Sequence, residues 1–222
     1  MADTPPHRRS PLARLADRLA AAGGAPERIR LTEVPFLTQL TLRVTPGTPA
    51  AEAAARALGT PLPTQPNTTS VAGDLEVLWM GPDEWLVVAP AGSDERRNAL
   101  EQALDAGDAT VVDVSAQRTA IEVAGADARD LLLKGCALDL HPRVFGVGRC
   151  AQTQLARAQV VLVPRTDEPA YRVFVRASFA EYLAEWLLDA AAEYRAEAPL
   201  DLSLAPLPKN ARMAIDAILA VS

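Results

Sequence analysis

The chain has 222 residues, 49% of them hydrophobic and 23% charged, with a formal net charge of -6 and a pI near 5.0. That length buries a sizeable core without covalent staples, and the acidic balance disfavours nucleic acid or an anionic membrane surface as a partner. Two cysteines are no disulfide framework and fit a reduced, cytoplasmic setting, and no apolar run approaches the ~20 residues that span a bilayer.

Residues 1–10 read as a disordered lead-in of charges and prolines, without the apolar stretch of a secretory signal. Ser10 is then expected to cap a short helix that opens with Pro11 and carries Leu12, Leu15 and Leu19 on one face. "FLTQLTLRV" (36–44) alternates like a half-buried strand. "TPAAEAAARALG" is an alanine-rich helix stopped by Gly59, and residues 60–70 form a proline-rich loop. "LEVLWMGPDEWLVVA" reads as two strands joined by a tight turn at 81–84. Ser93, with Asp94 and Glu95, caps a helix that runs to Ala106, and "TVVDVS" is a further strand.

The order β-α-β-β-α-β, the split arrangement of ferredoxin-like folds, then begins again. "TAIEVAG" is a strand, "ADARDLLLKG" a helix closed by Gly135, and "CAQTQLARAQVVLVP" and "AYRVFVRA" supply further strands. Ser178 and Glu181 make a capping box for the helix "SFAEYLAEWLLDAAAEY". Register supports a duplication: "LRVTPGTPAAEAAARALG" parallels "IEVAGADARDLLLKG", and "DEWLVVAPAGSDERRNALEQAL" parallels "PAYRVFVRASFAEYLAEWLL". The expected fold class is α+β, built of duplicated split β-α-β units. Each half needs a cover for its open sheet face, so residues 11–197 are expected to form one composite domain with halves at about 30–115 and 116–197. Residues 198–222 read as a connector and a short helix capped by Asn210, with Met213, Ile215, Ile218 and Leu219 apolar; too short to stand alone, it must dock on this chain or on a partner.

The chemistry-bearing residues are sparse. Cys136, His141 and Cys150 offer three metal ligands at most, with no close pair of the kind a structural zinc site uses, and a nucleophilic thiol needs an oriented base that "LDLHPR" does not suggest. Both cysteines therefore read as small buried residues. No glycine-rich phosphate loop is present, so no dinucleotide site is expected. Asp83 and Glu84 are explained by turn chemistry, since adjacent side chains at a hairpin diverge. Phe179, Tyr182, Trp186 and Tyr194 recur at helical spacing, as a core or interface stripe does, with Leu183 and Trp186 toward the core and Arg195 toward solvent. Arg118 has two open readings, a partner in Asp113 or a contact outside the chain. No catalytic, cofactor-binding or metal-binding residue is assigned.

"GPDEWL" (81–86), "DVSAQRTAIEVAGADARDLLLKGCALDLHPRVFGVGRCAQTQLARA" (113–158) and "FVRASFAEYLAEWL" (174–187) resemble the gamma subunits of heterotetrameric sarcosine oxidases. The likeness covers residues 10 to 195 or so, and its most specific part is G-C-x-L-D-L-H-P followed by G-x-C-A-Q-T-x-L-A-R-A. It implies a fold similar to the folate-binding domain of the glycine-cleavage T-protein. In the folate enzymes an acidic pair follows the next hairpin and supplies a base. The matching stretch here is "ARAQVVLVP", where Val160 and Val161 stand and no carboxylate appears before Asp167. The resemblance implies a non-catalytic subunit beside alpha, beta and delta subunits in an enzyme that oxidises the N-methyl group of sarcosine. That complex carries FAD, FMN, NAD and zinc on its other subunits and uses tetrahydrofolate as co-substrate. The equivalent subunit of an N-methylglutamate dehydrogenase and a stand-alone folate-dependent one-carbon transferase are the competing readings. Asp139, His141 and Arg143, held between a proline and glycines, are expected to face the large subunit, together with Arg149 and with Trp85 and the turn before it.

Overall fold

The computed structural model describes residues 8–22, 27–104, 109–166 and 168–195. The expected C-terminal helix and most of the expected lead-in lie outside these residues. Helix α1 (Ala16–Ala20) buries Leu19, and Leu12 and Leu15 are buried in the turn before it. Ser10 does not cap this helix. Its hydroxyl donates to Glu33 Oε2 at 2.6 Å, tying the segment to a strand the sequence pattern did not announce, β1 (Arg30–Val34).

Strand β2 (Thr38–Val44) leads into α2 (Pro49–Leu58). Thr48 caps α2 by accepting from the Ala51 amide at 3.3 Å, Pro49 opens it, and Gly59 closes it in the left-handed region at φ 73°. The proline loop gives way to β3 (Thr69–Ala72), earlier than its composition suggests, and β4 (Leu75–Gly81) and β5 (Glu84–Ala89) form the expected hairpin. Helix α3 (Asp94–Ala103) stops short of Ala106 because Leu104 is already extended. Ser93 makes no side-chain cap; its hydroxyl donates to the Pro90 carbonyl at 2.9 Å.

Strand β6 (Ala109–Asp113) ends the first half, and the second runs β7 (Arg118–Ala124), α4 (Ala128–Leu133), β8 (Ala151–Leu155), β9 (Ala158–Thr166), β10 (Ala170–Arg176) and α5 (Ala177–Ala190). Helix α5 starts directly on the end of β10, so Ser178 falls inside its first turn and the expected capping box does not form.

Two five-stranded sheets result, with strand orders β1-β7-β10-β9-β8 and β3-β4-β5-β2-β6. Every pairing between these strands is antiparallel. One strand leaves its own half: β1 pairs with β7 of the second half, whereas β6 stays with the first half and pairs with β2. Period-two alternation then sorts the side chains into layers. On β5, Trp85 and Val87 face α2 and α3, while Leu86 and Val88 face the other sheet. On β9, Val160 and Leu162 face α4 and α5, while Val161 and Val163 face inward. The sheets meet through Leu78, Leu86, Val88, Ala120, Val161, Val163 and Phe174, giving a helix–sheet–sheet–helix stack of mixed α and β elements. No helix among the described residues is long and apolar enough to cross a membrane.

The exchanged strand β1 is locked at its entrance by Gly125, which adopts φ +118°. A Cβ there would stand 2.3 Å from the Arg28 carbonyl oxygen, while the Ala126 amide donates to Glu27 at 2.9 Å and the Asp127 amide to Arg28 at 3.1 Å. Gly125→Ala is expected to cost about 3 kcal/mol, lowering the melting temperature by about 6–12 °C. Thermal unfolding followed by circular dichroism checks this, with Gly47→Ala, strained in φ but open in space, falling by much less.

Candidate functional site

The polar surface that the sequence singles out lies on the long connection from α4 to β8. Leu140 and Phe145 are buried and pin this loop to the core under α4 and α5. Beside these anchors Asp139, His141 and Arg143 are exposed and bond to one another. Asp139 Oδ1 accepts from the His141 amide at 2.9 Å, and His141 Nδ1 accepts from the Arg143 amide at 3.2 Å and from Arg143 Nε at 3.4 Å. The three side chains thus hold the shape of a turn while presenting their remaining polar groups outward. Val144 and Val147, 55% and 58% exposed, stand beside them. An Arg and a His flanked by uncovered valines make a mixed apolar and polar surface of the kind partner contacts use. Periodicity did not mark these valines, because loops have none.

The loop returns to the other half of the molecule. The Thr69 amide donates to Gly148 at 2.9 Å, the Cys150 amide donates to Asn67 at 3.0 Å, and half-buried Arg149 bridges to Thr68. Its far end is therefore fixed to the sheet that holds β3.

Trp85 has no surface to offer a partner, which corrects the expectation that it lines the contact. It is 1% exposed, packs under α2 and α3, and donates its indole N–H to the Pro63 carbonyl at 2.8 Å. Its strand parity turns it toward the helices, which the sequence of the hairpin alone leaves ambiguous. The turn before it stays outside, with Pro82 and Asp83 exposed and Asp83 held near Arg43 at 3.3 Å.

Cys136, Cys150 and His141 do not converge. Cys136 packs in the core beneath α4 and α5, whereas Cys150 packs between the sheets, so one sheet separates the two thiols. Burial pushes the Cys150 thiol up to about 11, with the carbonyl of Trp79 accepting its weak hydrogen bond at 3.5 Å. Such a thiol is protonated at neutral pH and is neither nucleophile nor ligand. Among the described residues no group of His, Cys, Asp or Glu is placed to hold a metal ion.

One cleft gathers charge. Arg118 and Arg176 stand opposite each other in the β7–β10 register, at the open end of the space between the sheets. Asp113 is not the partner of Arg118: it accepts from the Ser115 amide at 2.8 Å and lies 3.8 Å from Arg97. Burial, and then the charge of Arg176, lowers the pKa of Arg118 from its ordinary value. Val160 and Val161 form part of the lining, each 4% exposed, where the likeness to folate enzymes would ask for a carboxylate. The sequence raised Arg118 but missed Arg176, because nothing in the chain announces that β7 and β10 are neighbours.

The model of the sarcosine oxidase gamma subunit family matches residues 44–193. The chain is 44% identical over 203 residues to the sarcosine oxidase subunit gamma of Corynebacterium sp. (strain U-96), covering 88% of this chain and 96% of that one. It is 42% identical over 193 residues to the gamma subunit of Corynebacterium sp. (strain P-1), covering 86% and 93%.

The chain belongs to the sarcosine oxidase gamma subunit family.

In solved structures it is similar to a chain of the heterotetrameric sarcosine oxidase from Corynebacterium sp. U-96 in complex with pyrrole 2-carboxylate, with a TM-score of 0.80, 40% identity, and coverage of 85% of this chain and 97% of that one. It also shares the fold of the glycine cleavage system aminomethyltransferase T from Bartonella henselae, at a TM-score of 0.60 and 17% identity over 83% of this chain and 61% of that one. The stretch matched by the family model takes in the whole α4–β8 loop and both cysteines.

Cys150 makes a direct test of a silent thiol in this family. Its folded pKa lies above the ordinary 9.0, so the neutral thiol favours the folded state. That stability is fully present below about pH 9 and is lost as pH rises toward 11, because the unfolded thiol ionises first. Because Cys150 is only 1% exposed, iodoacetamide at pH 8 is expected to leave it unmodified in folded protein and to alkylate it fully in denaturant, read by peptide mass spectrometry. Rapid alkylation of the folded chain at that pH would contradict the burial argument.

Proposed function

We propose that the chain is the non-catalytic gamma subunit of a heterotetrameric, flavin-dependent sarcosine oxidase that demethylates sarcosine to glycine, and that it packs against the large alpha subunit. The observation that carries this reading is the identity of 42–44% to gamma subunits along 91–96% of their length. Alpha, beta and delta subunits are its partners in the cytoplasm. FAD, FMN, NAD and zinc belong to those subunits, and tetrahydrofolate is the co-substrate of the complex.

The residues of this chain support the scaffolding role. A base for folate chemistry needs a titratable group in reach of the reacting atom, and the stretch that the sequence resemblance to the folate enzymes points to carries Val160 and Val161. The two thiols lie on opposite sides of a sheet and cannot share a metal. A dinucleotide needs a cradle of backbone amides at a glycine-rich turn, and the sequence has no such motif. What the chain does offer is a shaped loop on a rigid base. Residues 11–197 act as one composite domain in this reading, since the sheet of the second half takes β1 from the first and the two sheets share an apolar layer.

The test is Asp139→Ala, His141→Ala and Arg143→Ala together in the full chain. These side chains bond only locally, and Leu140 and Phe145 keep the loop anchored, so the melting temperature is expected to fall by no more than about 4 °C. Co-purification with the flavoprotein is expected to weaken by about 2–5 kcal/mol, the usual loss on removing one partner of a buried charge contact. A variant that assembles as well as the parent removes the loop from the interface. A colourless parent chain that purifies alone and binds tetrahydrofolate removes the whole reading in favour of the folate transferase.

A further inference from the structure

Four arginines project from the inner face of the β1-β7-β10-β9-β8 sheet toward the other sheet, and they are not treated alike. Arg165 is paired with Glu76, and Arg172 donates to Glu122 at 2.6 Å. At the other end, Arg118 and Arg176 face each other across β7 and β10, and among the described residues neither has an ion-pair partner. Like charges directly opposite on antiparallel strands destabilise the pairing. Arg118 is half-buried, so water offsets only part of that repulsion. Glu84 acts on Arg118 through its field alone. The two guanidinium groups therefore form a cationic spot on a chain whose net charge is -6.

The space in front of them is a cleft of about 350 Å3, lined further by Gln152, Thr153, Gln154 and Gln159. Gln154 and Gln159 pair on the same face as Val161, and Gln152 there already donates to the Met80 carbonyl at 2.7 Å. Such amides suit the peptide groups of an extended chain, and the planar forks of arginine suit a carboxylate. Val160 and Val161 are the only apolar lining residues, too little wall for a flat cofactor ring. Strand β8 forms the rim of the sheet beside the cleft, where an extended segment can lie.

We propose that this cleft receives an extended acidic segment of a neighbouring subunit, with a side-chain carboxylate seated between Arg118 and Arg176. The proposal rests on the assembly reading above and adds a second contact to the α4–β8 loop.

The full chain is titrated against the remaining subunits purified without it, comparing the parent with Arg176→Glu, Arg176→Lys and Arg118→Gln. Arg176 is exposed and Arg176→Glu replaces a like-charged cross-strand pair by an opposite one, so its melting temperature is expected to be no lower than the parent's. It is expected to weaken association by about 30-fold or more, as the loss of a close charge contact does, whereas Arg176→Lys keeps most of the affinity. Phenylglyoxal is expected to modify both arginines in the isolated chain and neither in the assembled complex. If the parent binds and Arg176→Glu binds equally well, or if both arginines stay reactive in the complex, the cleft is not the contact. Protection of the isolated chain by succinate alone indicates a small-acid site and also overturns the proposal. A parent chain that fails to bind the other subunits removes the assembly reading itself, and this proposal with it.

Discussion

The sheet of the second half is completed by a strand from the first: β1 leaves its own half to pair with β7, whereas β6 stays with the first half and pairs with β2. An edge left unpaired exposes backbone donors and acceptors, so the second half depends on the first before any side chain is considered. The rest of the stack builds on this shared strand. The two sheets meet face to face, and Phe174, Leu86 and Val161 close the gap between them.

That inner layer is apolar at its centre and polar at both ends. Fully buried aliphatic and aromatic groups such as Phe174 each contribute about 1.5–3 kcal/mol by leaving water, and the charged pairs at one end seal the rim while adding little net stability. Glu76, 7% exposed, is paired there with Arg165. At the opposite end Arg118 and Arg176 face each other, and among the described residues neither has an ion-pair partner.

The relation to the glycine-cleavage transferase is one of fold, at 17% identity. Valine on an inner strand, as at Val161, packs well and costs nothing to desolvate, whereas a buried carboxylate needs a partner to hold its charge. In this chain polar groups gather on a loop pinned by Leu140 and Phe145 and at the cleft mouth.

Much was legible in the sequence by itself. Alternation marked β2, apolar runs and a tight turn marked β4, β5, β7 and β10, and Gly59 ended α2, because local periodicity and backbone preference act over a few residues. The passage of β1 to the other half was not legible, since strand pairing joins residues some ninety positions apart, such as Arg30 and Ala124, and no short window carries that information. The same reason hid the fate of individual side chains. Trp85 reads equally well as surface or core until its sheet has a helix-covered face, and Arg176 gains its meaning only when β10 comes to lie against β7. Local chemistry determined which elements form; which faces they show each other was decided by long-range pairing, because the side-chain period of two leaves both faces of a strand equally available until a neighbour covers one of them.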